Sequence, residues 1–339
     1  MANDSKDHKT VVSKLLYNSH KTYFSYAPLD HAVAGITAGG ISCILIQPFD
    51  VIKTQLQVSP QYKTSFSALK AIKKKGGYIK GLYSGLSPNL LGNISSWGLY
   101  FWGFNHIKQY IRQKKNADEL TAAELMFAGT FTSLCVLSVT NPIWVIKTRM
   151  FLAAGNTRPM STTNNFKRPI YKSISHAFTS IYKNEGLSGL YAGYSMGLVS
   201  CIHGGIQFSV YEKLVNWRLK LKKSNNGANA NRPIRFSIKG DANKLHLLEY
   251  LSIVIGSKAI AQSITYPLTL IRSRLQDVAT NYQKPYKNLS HCIIKTYQEN
   301  GLRTFYRGFP LYLLRVSPHT CILFTTYEYI RSLLNHAAT

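Results

Sequence analysis

Charge is distributed along this chain in long gaps. Residues 31–49, 81–107, 125–146 and 186–211 contain no Asp, Glu, Lys or Arg, in runs of 19, 27, 22 and 26 residues. Two further runs, 250–271 and 308–327, are each broken by a single cation, Lys258 and Arg315. A bilayer-spanning helix needs about 20 predominantly apolar residues. Soluble helices of that length normally carry charge on an outer face. The pattern therefore predicts an all-α membrane protein with six transmembrane helices arranged in three pairs.

The pairs repeat. Pro48–Gln55 reads PFDVIKTQ, Pro142–Arg149 reads PIWVIKTR and Pro267–Arg274 reads PLTLIRSR, each closing an apolar run and each with a cation five residues after its proline: Lys53, Lys147 and Arg272. A proline at such a place removes a backbone donor and is expected to bend the helix. Glycine-rich turns follow, GGYIKGLYSG (76–85), EGLSGLYAG (185–193) and NGLRTFYRG (300–308), the first one residue longer than the others. The even-numbered spans end alike in FNHIK (104–108), YEKLV (211–215) and YEYIR (327–331). Before the first turn, Phe66, Leu69 and Ile72 at helical spacing predict a short helix lying at the membrane surface. Small residues at Ala34, Gly35, Ala38, Gly39 and Gly40 predict close helix packing in the first span. The organisation expected is a polar arm over 1–24, repeats over 25–112, 119–220 and 245–336, and a solvated linker over 221–244 rich in Ser, Asn, Gly and Lys.

Composition changes this picture little. Mean hydropathy is −0.09. The 339 residues carry 41 Lys+Arg against 14 Asp+Glu, a net charge of +27 that raises the question of nucleic acid. The segments 49–81, 143–190 and 268–307 each hold seven Lys/Arg, however, so 21 cations sit in the loops after the prolines against 18 on the opposite side, a count that does not assign orientation. A basic surface beside a membrane attracts anionic lipid and anionic solutes instead. Cys43, Cys135, Cys201, Cys292 and Cys321 have no metal-ligand or CxxC spacing and are read as small buried apolar residues. The first ten residues, MANDSKDHKT, contain no apolar signal core.

Three ordered proline signatures, three glycine turns and three aromatic–polar–cation endings resemble the mitochondrial carrier family of solute transporters, over almost the whole chain. The resemblance implies six helices with threefold pseudosymmetry around a central cavity, alternately open to each side. It implies a matrix gate of interhelix ion pairs. The signature acid positions hold Asp50, Trp144 and Thr269, and the base positions Lys53, Lys147 and Arg272; one strong pair is expected, between Asp50 and Lys147. Gln57 and Gln276 occupy the places of bracing glutamines, and Phe151 fills that place in the second repeat. The implied cytoplasmic gate has Asn105, Glu212 and Glu328 facing Lys108, Val215 and Arg331.

Positions that differ between repeats are where an asymmetric solute would be read. With the even helices aligned on Asn105, Glu212 and Glu328, one face of the second helix carries Asn93, Ser96, Trp97 and Tyr100. The fourth carries Ser200, His203, Gly204 and Gln207, and the sixth Arg315, His319 and Ile322. A polar face on a membrane helix looks into protein or water. Lys258 and Arg315 stand out, because an ionisable group in a span costs at least about 2.5–3.5 kcal/mol. Two unpaired cations call for an anionic solute.

Within the family, PIWVIKTR resembles carriers of nucleotide-like cofactors: FAD, folate, NAD and pyrimidine nucleotides. GNISSWGLYF (92–101), IHGGIQFSVYE (202–212), the SK at 257–258 and LLRVSPHTCILF (313–324) look most like the FAD and folate carriers. The resemblance implies transport of FAD, or of folate or NAD, across the mitochondrial inner membrane. A peroxisomal membrane is the alternative. It implies a monomer with no bound cofactor of its own, no metal and no enzymatic activity. Trp97, Tyr100 and His203 are the expected ring contacts, and Arg315 and Lys258 the anion contacts. Two other classes were weighed. A membrane enzyme would need a nucleophile–base constellation or dinucleotide fingerprint, neither of which occurs. A non-transporting adaptor of the same fold would have weakened gates, and two of the three signature acids are missing.

Overall fold

The computed structural model describes residues 27–59, 61–62, 64–115, 120–155, 169, 171–226, 247–277, 286 and 288–337. Among them are twelve helices and no strand: α1 Ala27–Val58, α2 Ser65–Gly76, α3 Tyr78–Leu82, α4 Leu86–Lys115, α5 Ala122–Ala153, α6 Ile174–Leu190, α7 Tyr194–Ser200, α8 Ile202–Asn226, α9 Leu247–Leu275, α10 Leu289–Asn300, α11 Leu302–Phe305 and α12 Phe309–Ala337. The polar arm over 1–24 and most of the linker lie outside the described residues. The linker's first six residues are helical, since α8 runs to Asn226.

The chain forms two compact units, Cys43–Thr320 and Met1–Ser42 with Cys321–Thr339. In the smaller unit, Ala34, Ala38 and Ser42 form a buried stripe one turn apart along α1, while Gly35 is exposed. The close-packed face is thus built from the alanines and the serine.

The larger unit repeats one motif three times. A long helix runs through its proline (Pro48, Pro142 or Pro267) and packs its last turns on a short surface helix. In the second repeat Val145 and Ile146 meet Ala177 and Ile181, and in the third Leu270 and Ile271 meet Cys292. In the first, Val51 meets Ile72 and Leu56 meets Ala68. The face of α2 turned to the protein is therefore Ala68 and Ile72, while Phe66 is 74% exposed. Each surface helix is started by a side-chain cap, from Thr64, Ser173 and Asn288.

Six glycines have positive φ, in the pairs Gly77/Gly85, Gly186/Gly193 and Gly301/Gly308. The first pair is one residue wider, which locates the extra residue seen in the sequence. The second glycine of each pair sits against a neighbouring repeat. A Cβ on Gly85 would lie 2.8 Å from Phe151, and one on Gly193 would lie 3.0 Å from the Arg272 carbonyl oxygen.

The repeats are tied to one another by a cyclic set of hydrogen bonds. The seventh residue after each proline donates to the main-chain carbonyl of the ninth residue in the next repeat. Gln55 reaches the Phe151 oxygen at 2.7 Å, Arg149 the Gln276 oxygen at 3.2 Å and Arg274 the Gln57 oxygen at 3.0 Å. Arg149 and Arg274 are 1% and 0% exposed, and each is neutralised within its own repeat by a two-pronged ion pair. Arg149 meets Glu185, with Nη2 to Oε2 at 2.7 Å, and Arg274 meets Glu299, with Nη2 to Oε2 at 3.0 Å. Repeat one has the neutral Gln55 there and no acid over 73–77.

By length and apolarity two stretches among the described residues qualify as spans, Val33–Val58 and Glu124–Ala153. The six charge-poor runs therefore overstate the apolar content. The even helices have little charge but carry amides, hydroxyls and histidines, such as Asn89, Asn93 and Ser96 on α4 and His319 on α12. The cysteines also differ from expectation: Cys43 and Cys292 are buried, Cys201 is half-buried, and Cys135 and Cys321 are exposed. Burial pushes the Cys292 thiol, on the surface helix α10, up to about 11.

The buried pairs make a specific prediction. Glu185→Ala leaves Arg149 charged and unpaired inside the protein, and is expected to cost about 3–5 kcal/mol. Gln55→Ala removes only neutral hydrogen bonds at the equivalent place and is expected to cost about 1–3 kcal/mol. Thermal unfolding of the two detergent-purified variants beside the wild type checks the order.

Candidate solute-binding site and gates

The second and fifth residues after each proline carry the expected gate. Asp50, the one acid among the three acid positions, forms its ion pair with Arg315 of α12. This corrects two expectations: Asp50 does not take Lys147, and Arg315 is not an unpaired cation. Glu249, at the start of α9, pairs with Arg218 at 2.7 Å.

Among the described residues none of the three signature bases forms an ion pair. Lys53 lies over the rings of Tyr312 and Tyr266, 4.8 and 6.0 Å from their centroids. Lys147 lies over Trp144, at 4.7 Å, and Phe151, at 5.3 Å. Trp144 occupies an acid position, one helical turn before Lys147, so an aromatic face replaces a carboxylate beside the cation. Arg272 donates to the Asn141 side-chain oxygen at 3.3 Å, and a Cβ on Gly197 would approach its guanidinium to 3.3 Å.

Gln57 accepts from the Ser273 hydroxyl at 3.1 Å, and Gln276 from the Thr148 hydroxyl at 2.7 Å, each across a repeat boundary. The residue before each proline adds a brace that sequence reasoning missed. Gln47 donates to the Ser84 carbonyl at 3.2 Å, Asn141 to the Leu190 carbonyl at 3.0 Å and Tyr266 to the Arg307 carbonyl at 2.6 Å. All three tie the proline to the glycine turn of the same repeat. The available signal was that QP, NP and YP all place a hydrogen-bonding side chain before the proline.

The predicted solute contacts separate into two groups. Lys258 on α9 lies 3.4 Å from the Thr320 hydroxyl, and His203 on α8 is 2.8 Å from the Thr265 hydroxyl. The charges of Arg315, Lys258 and Asp50 all reach His319, and Lys258 also acts on His203. Arg315 in turn acts on Lys53, Lys147 and Lys258. These residues form one electrostatic cluster with four Lys/Arg and a single carboxylate. On α4, Asn93 donates to the Asn89 side chain at 3.1 Å, and Asn89 to Gln47 at 2.7 Å. Asn93 is thereby held by an amide chain that ends on the Ser84 carbonyl.

The rest of the predicted face is less concentrated. The Ser96 hydroxyl is buried with no partner among the described residues. Ser200 bonds its own helix, to the Met196 carbonyl at 2.7 Å, and Gln207 is half-buried. Trp97 is 59% exposed and stacks on Phe101, with centroids 5.7 Å apart. Tyr100 stacks on Phe104 at 5.9 Å, and its hydroxyl lies 3.3 Å from where a Cβ on Gly129 would stand. Gly129 leaves room for the Tyr100 hydroxyl at the α4–α5 contact.

At the other ends of the helices, Lys108 is half-buried and Glu212 exposed, and they form no ion pair among the described residues. Glu328 is half-buried in the smaller unit, and the Arg331 side chain lies outside the described residues. The proline ends are braced and the opposite pair Lys108/Glu212 is not. No group of three or more His, Cys, Asp or Glu among the described residues is placed to hold a metal ion.

Comparison with known proteins agrees with the threefold design. A family model for mitochondrial carrier proteins matches residues 24–115, 118–222 and 243–338. A chloroplastic folate transporter of Arabidopsis thaliana is 33% identical over 91% of this chain and 97% of that protein. A mitochondrial nicotinamide adenine dinucleotide transporter of the same plant is 33% identical over 88% of this chain and 77% of its own length. A mitochondrial FAD carrier protein of Saccharomyces cerevisiae is 28% identical over 90% and 97%.

The aromatic seat of Lys53 is testable by stability. Tyr312→Leu removes the nearer ring and is expected to cost about 0.5–2 kcal/mol, whereas Tyr312→Phe keeps the ring and stays close to wild type. Thermal unfolding of both variants distinguishes a cation–π contact from a role of the hydroxyl.

Proposed function

The chain belongs to the mitochondrial carrier protein family, and from that premise we propose that it moves an anionic aromatic cofactor, FAD in the first instance, across the mitochondrial inner membrane by alternating access. The observation that carries this reading is the cluster of Lys53, Lys147 and Arg315 about the one carboxylate of Asp50, with Lys258 acting on the neighbouring His319 and lying 3.4 Å from the Thr320 hydroxyl. Such an excess of positive charge within a bundle of long, charge-poor helices is stabilised by an anion that enters and leaves. Phosphates of FAD or NAD and carboxylates of folate meet the same need through charge-assisted hydrogen bonds. Arg315, Lys258, His203, His319 and Asn93 are the proposed contacts, with Ser96, Ser200, Gln207 and Trp97 around them. Tyr100 is assigned to helix packing beside that face.

The six long helices serve as the membrane spans, their polar faces turned from lipid. Asp50, Lys53, Lys147, Arg272, Gln57 and Gln276 form the closed matrix gate, and Lys108, Glu212, Glu328 and Arg331 the cytoplasmic one. A single chain supplies the site, so a monomer suffices, and neither a bound cofactor nor an enzymatic step is needed. Folate is the second reading, favoured by the 33% identity with the plant folate transporter. A peroxisomal or plastid membrane is the alternative address, and a chloroplastic relative supports the latter.

A thermal-shift titration of purified protein with FAD, FMN, tetrahydrofolate, NAD and a pyrimidine nucleotide tests the reading. One of them is expected to stabilise the wild type. Arg315→Ala and Lys258→Ala are each expected to weaken it by roughly tenfold or more, the worth of one charged hydrogen bond. Stabilisation by folate or NAD alone corrects the solute. Stabilisation by none contradicts the cofactor reading.

A further inference from the structure

We propose, resting on the carrier reading, that Thr265 holds His203 in the tautomer that offers Nε2 as a hydrogen-bond acceptor, and that this acceptor reads a ring N–H of the solute. Flavin, pterin and uracil rings carry such an N–H beside a carbonyl. The nicotinamide and adenine rings of NAD do not.

The proton count around Thr265 fixes the tautomer. Its hydroxyl lies 2.9 Å from the Ala261 carbonyl oxygen, one turn back on α9, and 2.8 Å from Nδ1 of His203 on α8. A hydroxyl has one hydrogen, and a carbonyl has none to give. Both contacts are hydrogen bonds only if the hydroxyl donates to Ala261 and Nδ1–H donates to the hydroxyl. Nε2 then keeps its lone pair, and it has no hydrogen-bond partner among the described residues. A proton there would set a second positive charge beside Lys258, and no carboxylate among the described residues acts on the ring. Thr265 is 2% exposed while the ring is half-buried, so the tautomer is fixed from the protein side and Nε2 is left to a solute.

The other repeats lack this arrangement. Two residues before the prolines, Ile46 and Thr140 stand where the third repeat has Thr265. Thr140 likewise bonds its own helix, at 2.8 Å to the Val136 carbonyl, but Ser96, at the place of His203, has a buried hydroxyl with no partner among the described residues. Ile46 has no hydrogen-bonding side chain at all. Donors stand near the acceptor on α9. Lys258 and Gln262 precede Thr265 by seven and three residues, on one helical face. Lys258 acts on His203, and Gln262, 5% exposed, has an Nε2 with no partner among the described residues. An acceptor beside donors complements an N–H beside carbonyls.

The test compares FAD with its N3-methyl derivative, in which a methyl group replaces the ring hydrogen. Calorimetry on purified wild type comes first and needs no variant. Methylation is expected to weaken FAD roughly fivefold or more, the worth of a hydrogen bond whose acceptor is left unpaired. In His203→Phe, which keeps a ring and loses the acceptor, it is expected to cost less than about twofold. An equal cost in both proteins means that the methyl group only clashes, and overturns the inference; so does no cost in the wild type. Thr265→Val is expected to lose the discrimination and Thr265→Ser to keep it, and discrimination kept by Thr265→Val overturns the role of Thr265.

Nitrogen-15 spectra of the histidine-labelled, solute-free protein read the tautomer directly. The signals that vanish in His203→Phe are expected to show Nδ1 protonated and Nε2 bare, and the reverse pattern overturns the inference. The same comparison with uridine monophosphate and its N3-methyl derivative separates this inference from the cofactor reading. A methylation cost there, with FAD, tetrahydrofolate and NAD all failing to bind, keeps the inference and removes the cofactor reading. FAD bound without a methylation cost keeps that reading and removes the inference, and binding of NAD alone does the same.

Discussion

A guanidinium enclosed by protein must be neutralised, and its remaining hydrogens must all find acceptors. Arg149 and Arg274 meet both demands at once, through a glutamate of their own repeat and a main-chain carbonyl of the next. That double obligation joins each long helix to its surface helix and each repeat to its neighbour. Gln55 completes the cycle with no charge to satisfy, and its repeat accordingly lacks the acid. The residues before the prolines then fasten each glycine turn to the same junction. What results in the larger unit is a rigid collar at the post-proline ends, made mostly of backbone acceptors.

Above that collar the chemistry is of another kind. The signature bases are held by rings and an amide rather than by carboxylates. Cation–π contacts of this sort are worth about 0.5–2 kcal/mol, much less than the cost of breaking a sealed ion pair. The one acid available, Asp50, is shared with Arg315 beyond the signature. A structure that keeps strong pairs at the collar and weak, exchangeable ones next to the proposed solute site can move the second without dissolving the first. Glu212 is exposed and Lys108 forms no ion pair among the described residues, which is what the proposed gates would show with one latched and the other not. Thinned ion-pair gates are therefore compatible with a transporter and do not by themselves favour a non-transporting adaptor.

Much of this was legible because the chain states it three times. The long helices, the surface helices, the prolines inside helices and the one-residue excess in the first glycine turn all follow from repeated patterns. The pairing of Arg315 was not legible, because a contact between the first and third repeats, 265 residues apart, leaves no local trace. The contact of the Tyr100 hydroxyl with the backbone at Gly129 was not legible either, because it joins two different helices. The surface helix of the first repeat was legible, but helical spacing alone did not say that Ala68 and Ile72 are the residues that meet the long helix. The collar was half visible: Arg149 with Glu185 and Arg274 with Glu299 vary together against Gln55, inside one sequence.

The central claim is that this framework carries its anion across a membrane instead of only binding it. Uptake of radiolabelled FAD into liposomes reconstituted with the purified protein tests that claim most directly, with internal FAD as counter-solute and protein-free liposomes as the blank. The account predicts saturable uptake that is lost in Arg315→Ala. Binding of the cofactor with no uptake above the blank would contradict it.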